Sequence, residues 1–293
     1  MSLGVILGLV TALFQALSYI FMRRSLQDFP ESMAFMMNAL TGVVIWIPFA
    51  MLTNGVWSDV LFVLPFAFLS AVLSEAFVFF ATARGDTIIT GVLFSTYPIF
   101  TILLAFVFLQ ERLLFLAWIA LGLVIIGTLV VSSPSRREWL DGAVTHWKFH
   151  LIAWPLVAAI AVSISDVIGK HIIDQTSAGT FLIALALAEV PVGLIFLRMQ
   201  GQSAKELKTF FSHFSDHKYA FLSGLLSTLA VLTFWLAFEL LPASVASPLT
   251  AVTPIFVFVL GIAFLKEKVS LKNTIGLLIV IAGILLLSIN GIV

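Results

Sequence analysis

The chain contains no cysteine. Disulfides, thiolate chemistry and cysteine-based metal sites are thereby excluded. Charge is nearly as scarce. Only 10% of the 293 residues are charged, and 15 basic side chains balance 15 acidic ones. A net charge of +0 offers no electrostatic footprint for nucleic acid. The catalytic signatures H-E-x-x-H and G-x-S-x-G are missing, and so is a phosphate-binding P-loop. The histidines form no cluster: His146 and His150 flank one apolar run, His171 ends it, and His213 and His217 fall in a polar stretch. The first apolar run has neither a basic leader nor an A-x-A-like cleavage site, and reads as a retained helix rather than a signal peptide.

What the chain has in abundance is apolar sequence, 61% of its residues, with a mean hydropathy of +1.15. This composition does not describe a water-soluble domain. Ten apolar runs cover 3–22, 32–52, 60–83, 87–109, 113–131, 150–172, 178–198, 218–240, 243–265 and 271–290. Each approaches the roughly 20 residues that span a bilayer core as a helix. Helices are expected throughout, because an isolated strand cannot satisfy its backbone groups in lipid. Two connections are long, 132–149 and 199–217, and both are too short for a nucleotide-binding domain. The second is polar but carries Phe210, Phe211 and Phe214, a pattern that fits a short interfacial helix.

The second half repeats the first. Thr96-Tyr97-Pro98-Ile99-Phe100 precedes Phe108-Leu109-Gln110-Glu111-Arg112, and Val252-Thr253-Pro254-Ile255-Phe256 precedes Phe264-Leu265-Lys266-Glu267-Lys268. The offset is constant, since 254 − 98 and 267 − 111 both equal 156. It carries on through Val124/Val280, Gly127/Gly283 and Ser132/Ser288. Ser18 to Arg23 and Ser165 to Lys170 occupy like places in segments one and six. The expected organisation is a first repeat at 1–131, a connecting loop at 132–149 and a second repeat at 150–293. Five helices per repeat is an odd number, so the halves enter the membrane in opposite directions, as an inverted repeat about an axis in the membrane plane.

The doublet of Pro-Ile-Phe, then Phe-Leu-x-Glu-(Arg/Lys), then a glycine-bearing apolar helix resembles the EamA repeat of the drug/metabolite transporter superfamily. The resemblance implies an all-α integral membrane protein with ten transmembrane helices around a central cavity. It implies a carrier of small metabolites, often amino acids and related compounds and often an exporter, working by alternating access in a bacterial cytoplasmic membrane. An intramembrane enzyme and a non-transporting scaffold or receptor are the rival classes. The expected partners are a small-molecule substrate, the lipid bilayer and, in a coupled carrier, protons. No nucleic acid, cofactor or metal is implied, and the expected state is a monomer or weak homodimer.

Candidate site residues fall into three groups. Pro98 and Pro254 interrupt segments four and nine, releasing the carbonyls of Phe94 and Thr250 beside Tyr97, Thr250 and Thr253. These are either midplane acceptors or simple kinks. Asn38, Glu75, Asp166 and Glu189 lie deep in apolar segments. A carboxylate at the bilayer centre costs roughly 2.5–3.5 kcal/mol on insertion scales, which favours a functional role facing the bundle interior. Glu75 and Glu189 have no basic neighbour one helical turn away, and suit either proton coupling or a bond to a neighbouring helix. Asp166 is a third proton-coupling candidate, although Lys170 stands four residues on and makes a helical ion pair available. Asn38 equally serves as interhelical glue. Among the aromatics, Phe14, Tyr19, Phe77, Phe79, Trp235 and Phe238 either line the cavity or pack against helices and lipid. Glu111 and Glu267 end segments four and nine, where an ion pair or a cap for a neighbouring helix is the expected role.

Orientation follows from the basic residues. The loops after odd-numbered segments hold Arg23, Arg24, Arg84, Arg136, Arg137, Lys148, Arg198, Lys205, Lys208, Lys218, Lys266, Lys268 and Lys272, against Arg112 and Lys170 on the other side. That is 13 against 2 of the 15. The count puts both termini outside, whereas the family resemblance puts both inside. In the natural cysteine-free background, Asn54→Cys is expected to react with a membrane-impermeant thiol reagent in intact cells and Ser135→Cys to be protected. The reverse labelling would turn the protein over.

Overall fold

The structure is a computed structural model that describes residues 2–25, 31–53, 55–76, 96–133, 149–202, 218–265 and 271–289. Helices α1 (Leu3–Ser25), α2 (Glu31–Leu52) and α3 (Trp57–Ser70, extended by a π-helical turn, Ala71–Ala76) come first. After them comes α4 (Tyr97–Leu104, with a second π-turn at Ala105–Leu109), then α5 (Phe115–Ser132). The second half holds α6 (Phe149–Gln175), α7 (Ala178–Met199), α8 (Lys218–Leu240), the broken pair α9a (Ala243–Thr250) and α9b (Thr253–Leu265), and α10 (Leu271–Ile289). Among the described residues there is no strand. Among the described residues eight spans are long and apolar enough to cross a bilayer, α9a and the start of α9b counting as one, and shorter apolar helices at Tyr97–Leu109 and Leu271–Leu286 bring the set to ten. The interfacial stretch read at Phe210 to Phe214 lies outside the described residues.

Segment nine departs from the single run 243–265. Its α-helix stops at Thr250, turns through Ala251 and Val252, and restarts at Thr253. Pro254 is the second residue of α9b, where its missing N–H has no intrahelical partner to lose. The described part of segment four starts in a similar way, with Thr96 in a turn and Pro98 second in α4.

Helix α5 packs on α10, its equivalent in the other repeat. A Cβ at Gly127 would stand 2.7 Å from the carbonyl oxygen of Gly276 and from Val280 Cγ2; a Cβ at Gly283 would stand 2.7 Å from the oxygen of Ala120 and 2.9 Å from Val124 Cγ2. Adding 156 to 127 and subtracting 156 from 276 and 280 turns the first contact into the second. Such exchange of partners is the signature of a two-fold interface. Contacts that advance along α5 retreat along α10, so the equivalent helices run antiparallel, as an inverted repeat requires. Serines tell the same story elsewhere. Ser18 of α1 donates to the Ser223 carbonyl of α8 at 2.9 Å, and Ser70 of α3 meets Ser165 of α6 at 2.6 Å. Ser18 and Ser165 are repeat equivalents, so each half lends one such serine to the other.

Gly4 and Gly8 bring α1 against the chain around the α8–α9a corner: a Cβ at Gly4 would lie 2.6 Å from Leu241 Cγ, and one at Gly8 3.1 Å from Leu249 Cβ. With no hydrophobic drive between helices in lipid, such close approach gains its stability from dispersion contacts. Gly127→Val or Gly283→Val is therefore expected to destabilise the protein by about 1–3 kcal/mol. Gly122→Val is the control, because a Cβ there meets nothing within 4 Å. Thermal unfolding in detergent measures all three, and equal midpoints would refute the close packing.

Candidate substrate and coupling site

Three helices converge on Asp166. It lies near the middle of α6 and is 1% exposed. From α4, Thr101 Oγ1 donates to Asp166 Oδ2 at 3.1 Å. Tyr97 stands one turn before Thr101, and its hydroxyl meets Thr250 Oγ1 of α9a at 3.2 Å and the Ser247 carbonyl at 3.4 Å. Tyr19 of α1 and Asp166 both lie within electrostatic reach of Tyr97. Ser247 stands beside the Asp166 carboxyl. Its hydroxyl is fully buried. Ser163, three residues before Asp166, donates to the Tyr97 carbonyl at 2.8 Å and ties α6 to α4.

The break in α9 shapes this junction. Thr250 is the last residue of α9a, and its carbonyl accepts the Thr253 hydroxyl at 3.2 Å across the break. Thr250 Oγ1 in turn donates to the Ser247 carbonyl at 2.9 Å. At its other end α9a is capped from the first repeat. Residue Gln110 ends the π-turn in a left-handed conformation, with φ 57°. The next residue, Glu111, then accepts the amides of Ala243 and Ser244 at 2.8 and 2.9 Å, together with the Ser244 hydroxyl. A carboxylate on the first free amides of a helix satisfies orphan donors and complements the helix dipole.

The ion pair available between Asp166 and Lys170 does not form. Lys170 points along α6 the other way, where Nζ donates to Asp174 Oδ1 at 2.7 Å and to the Phe238 carbonyl at 2.8 Å. Asp174 is half exposed, so a pair there spares Lys170 the cost of complete desolvation. Asp166 is left to hydroxyl partners.

Of the sequence candidates, Tyr97, Pro98, Asp166, Thr250 and Pro254 come together here, with Tyr19 close by. Asn38 sits in a separate network between α2 and α8, where Thr228 donates to its Oδ1 at 3.1 Å, meets Thr41 at 2.6 Å and accepts Trp46 Nε1 on its carbonyl at 2.9 Å. Glu189 is fully buried on α7. Trp235 is buried and packed: its ring meets Phe181 at a tilt and Phe234 and Phe238 edge to face, and it occupies the space over Gly169. The side chain of Glu75, and Phe77, Phe79 and Glu267 altogether, lie outside the described residues. Thr101, Ser163 and Ser247 escaped the sequence reading. Their signal was helical spacing from residues that it did select: 97/101, 163/166 and 247/250 each share a helix face.

The pattern of the EamA-like transporter family matches residues 2–133 and, a second time, residues 150–289. An uncharacterized transporter of Archaeoglobus fulgidus is 23% identical over 291 residues, 97% of this chain and 98% of that one. An uncharacterized protein of Methanocaldococcus jannaschii is 38% identical over 73 residues; the match spans 25% of this chain and about half, 53%, of that relative. A solved crystal structure shares the fold with a TM-score of 0.74 at 12% identity, covering 97% of this chain and 96% of the other.

The cross-repeat cap yields a graded expectation. Glu111→Ala strands two amides and a hydroxyl and is expected to cost about 1.5–3 kcal/mol, whereas Glu111→Gln keeps one acceptor and costs less. Thermal unfolding of the two variants beside the parent measures the difference, and indifference to both would show that water caps α9a equally well.

Proposed function

Because the chain belongs to the EamA-like transporter family, we propose that it is a secondary carrier that exports a small metabolite, an amino acid or a related compound, by alternating access between its inverted repeats. The carrying observation is Asp166, a carboxylate deep in α6 beside the interrupted helix α9. A buried ionisable residue facing a bundle interior marks a substrate or proton path, and a broken helix at membrane depth is tolerated where protein or a cavity satisfies its backbone. Repeat-related transporters place their sites at such breaks. In this reading Tyr97, Thr250 and Pro254 shape the binding region, Asp166 carries the coupled proton, and Pro98 with Pro254 sets the hinge points of α4 and α9. Glu189 and Glu75 are the alternative proton carriers. Asn38 and Trp235 support the site from the surrounding bundle. The protein works in the cytoplasmic membrane as a monomer or weak homodimer, without a cofactor.

The test has two stages. Metabolite profiling of cells that overexpress the protein, comparing medium with cytoplasm, identifies the exported compound. Proteoliposomes then measure its pH-gradient-driven accumulation for the parent, Asp166→Asn, Glu189→Gln and Glu75→Gln. Accumulation is expected to fall at least tenfold in Asp166→Asn and to persist in the other two. Undiminished accumulation in Asp166→Asn would remove it as the proton carrier, and a collapse in either glutamine variant would move the role there. Conversion of the compound instead of its movement would make the protein an enzyme.

A further inference from the structure

A cavity of about 530 Å³ lies apart from the Asp166 junction, at the corner where α4 ends and α5 begins. Phe106, Val107, Gln110, Arg112, Leu113 and Trp118 line it. The corner joins two apolar spans, and so sits where hydrocarbon gives way to lipid headgroups. Phe106 and Val107 on the π-turn and Trp118 in the first turn of α5 are exposed on the outside of the bundle. They form an apolar wall that faces acyl chains. The polar groups of the corner are mostly spent. Gln110 Nε2 donates to the Val107 carbonyl at 2.7 Å. The Glu111 carboxylate is taken by the amides of α9a and the Ser244 hydroxyl, so it does not neutralise Arg112 beside it. Nearby at the same end of the bundle, Lys170 and Asp174 hold each other and Glu239 accepts the Ala178 amide. Arg112 is different. Among the described residues its guanidinium makes no hydrogen bond or ion pair. One unspent cation therefore stands beside an apolar groove.

A guanidinium offers five N–H donors in a fork that matches the oxygens of a phosphate. A soluble phosphate would use that fork and leave the apolar wall bare. An uncharged lipid would cover the wall and leave the fork unpaired. A phospholipid does both. A zwitterionic headgroup brings its own cation, which competes for the phosphate, and the corner has no spare carboxylate to hold it, because Glu111 is engaged across the repeat interface. We propose that this groove binds one anionic phospholipid of the surrounding leaflet, its phosphate on Arg112 and an acyl chain along Phe106, Val107 and Trp118. The bound lipid would brace the corner from which Glu111 reaches α9a, one of the contacts that join the two repeats. The site does not depend on what the Asp166 junction transports.

The test uses full-length purified protein, stripped of lipid in an uncharged detergent, with dioleoylphosphatidylglycerol as the probe. A ligand that binds only the folded protein raises its unfolding midpoint in a concentration-dependent way. Phosphatidylglycerol is expected to raise the midpoint of the parent and to saturate, and native mass spectrometry should find one retained lipid per chain. Dioleoylphosphatidylcholine at the same mole fraction should raise the midpoint less. Sodium glycerol phosphate, the headgroup without its chains, should match sodium chloride at equal ionic strength. Arg112→Gln removes a guanidinium that bonds nothing in the fold, so it should unfold like the parent without lipid. Its response should need about tenfold more phosphatidylglycerol, as expected when hydrogen bonds to a charged group are lost. Arg198→Gln removes an exposed cation at the end of α7, outside the groove, and should respond like the parent. Five results would overturn the proposal. They are no phosphatidylglycerol response in the parent, an equal response to phosphatidylcholine, an equal response to glycerol phosphate, which would make this a site for soluble anions, an unshifted response in Arg112→Gln, or a shift as large in Arg198→Gln, which would reduce the effect to net charge. Binding is read here without transport, so failure of the lipid site leaves the carrier reading standing, and failure of export leaves the lipid site to be judged by its own midpoints.

Discussion

A backbone N–H or C=O inside a bilayer can bond only to protein, and this constraint governs the whole molecule. It makes every described element a helix, and it makes the interruption at Ala251 and Val252 expensive unless the exposed groups find local partners. They do. Thr253 covers the Thr250 carbonyl and the Ala251 amide still reaches that of Ser247, while at the far end of α9a Glu111 arrives from the opposite repeat to take its first amides. The break is thus a built feature. Just before it, Ser247 and Thr250 meet the Tyr97 hydroxyl, so α9a joins the polar contact that Thr101, Ser163 and Asp166 already make between α4 and α6.

Duplication supplies the frame, and divergence supplies the chemistry. The glycine contacts between α5 and α10 and the serine pairs α1–α8 and α3–α6 exchange partners between the halves, so the packing is close to two-fold. The site is not. At the offset that relates Ser18 to Ser165, the equivalent of Asp166 is Tyr19; at the offset of 156, the equivalents of Tyr97 and Thr101 are Thr253 and Val257. The buried carboxylate with its hydroxyl partner therefore exists in one half only, while the other offers a phenol and an aliphatic side chain. A symmetric scaffold has two equivalent ways to open, and a charge placed off its axis gives the substrate a single orientation within it.

The sequence by itself determined much of this. Apolar runs of bilayer length, the repeated Pro-Ile-Phe and Phe-Leu-x-Glu signatures and the odd number of segments per repeat were enough for an inverted ten-helix membrane protein, because lipid permits few architectures and a duplicated pattern is visible in one dimension. Pro254 marked the helix break to within a few residues, since proline acts on its own backbone. The partners of the deep polar residues were decided only in three dimensions. Lys170 stands at the same helical spacing from Asp166 and from Asp174, and spacing cannot choose between them; the half-exposed carboxylate wins because pairing there leaves Lys170 near water and within reach of the Phe238 carbonyl. Trp235 and Tyr97 are both aromatic residues in apolar helices, yet one is locked over Gly169 and the other hydroxyl-bonded at the α9 break. Glu111 ends its helix beside Arg112, and nothing in the linear chain says that it caps a helix 132 residues away. Local physics reads along one helix; which helices face each other is settled by the packing of all of them at once.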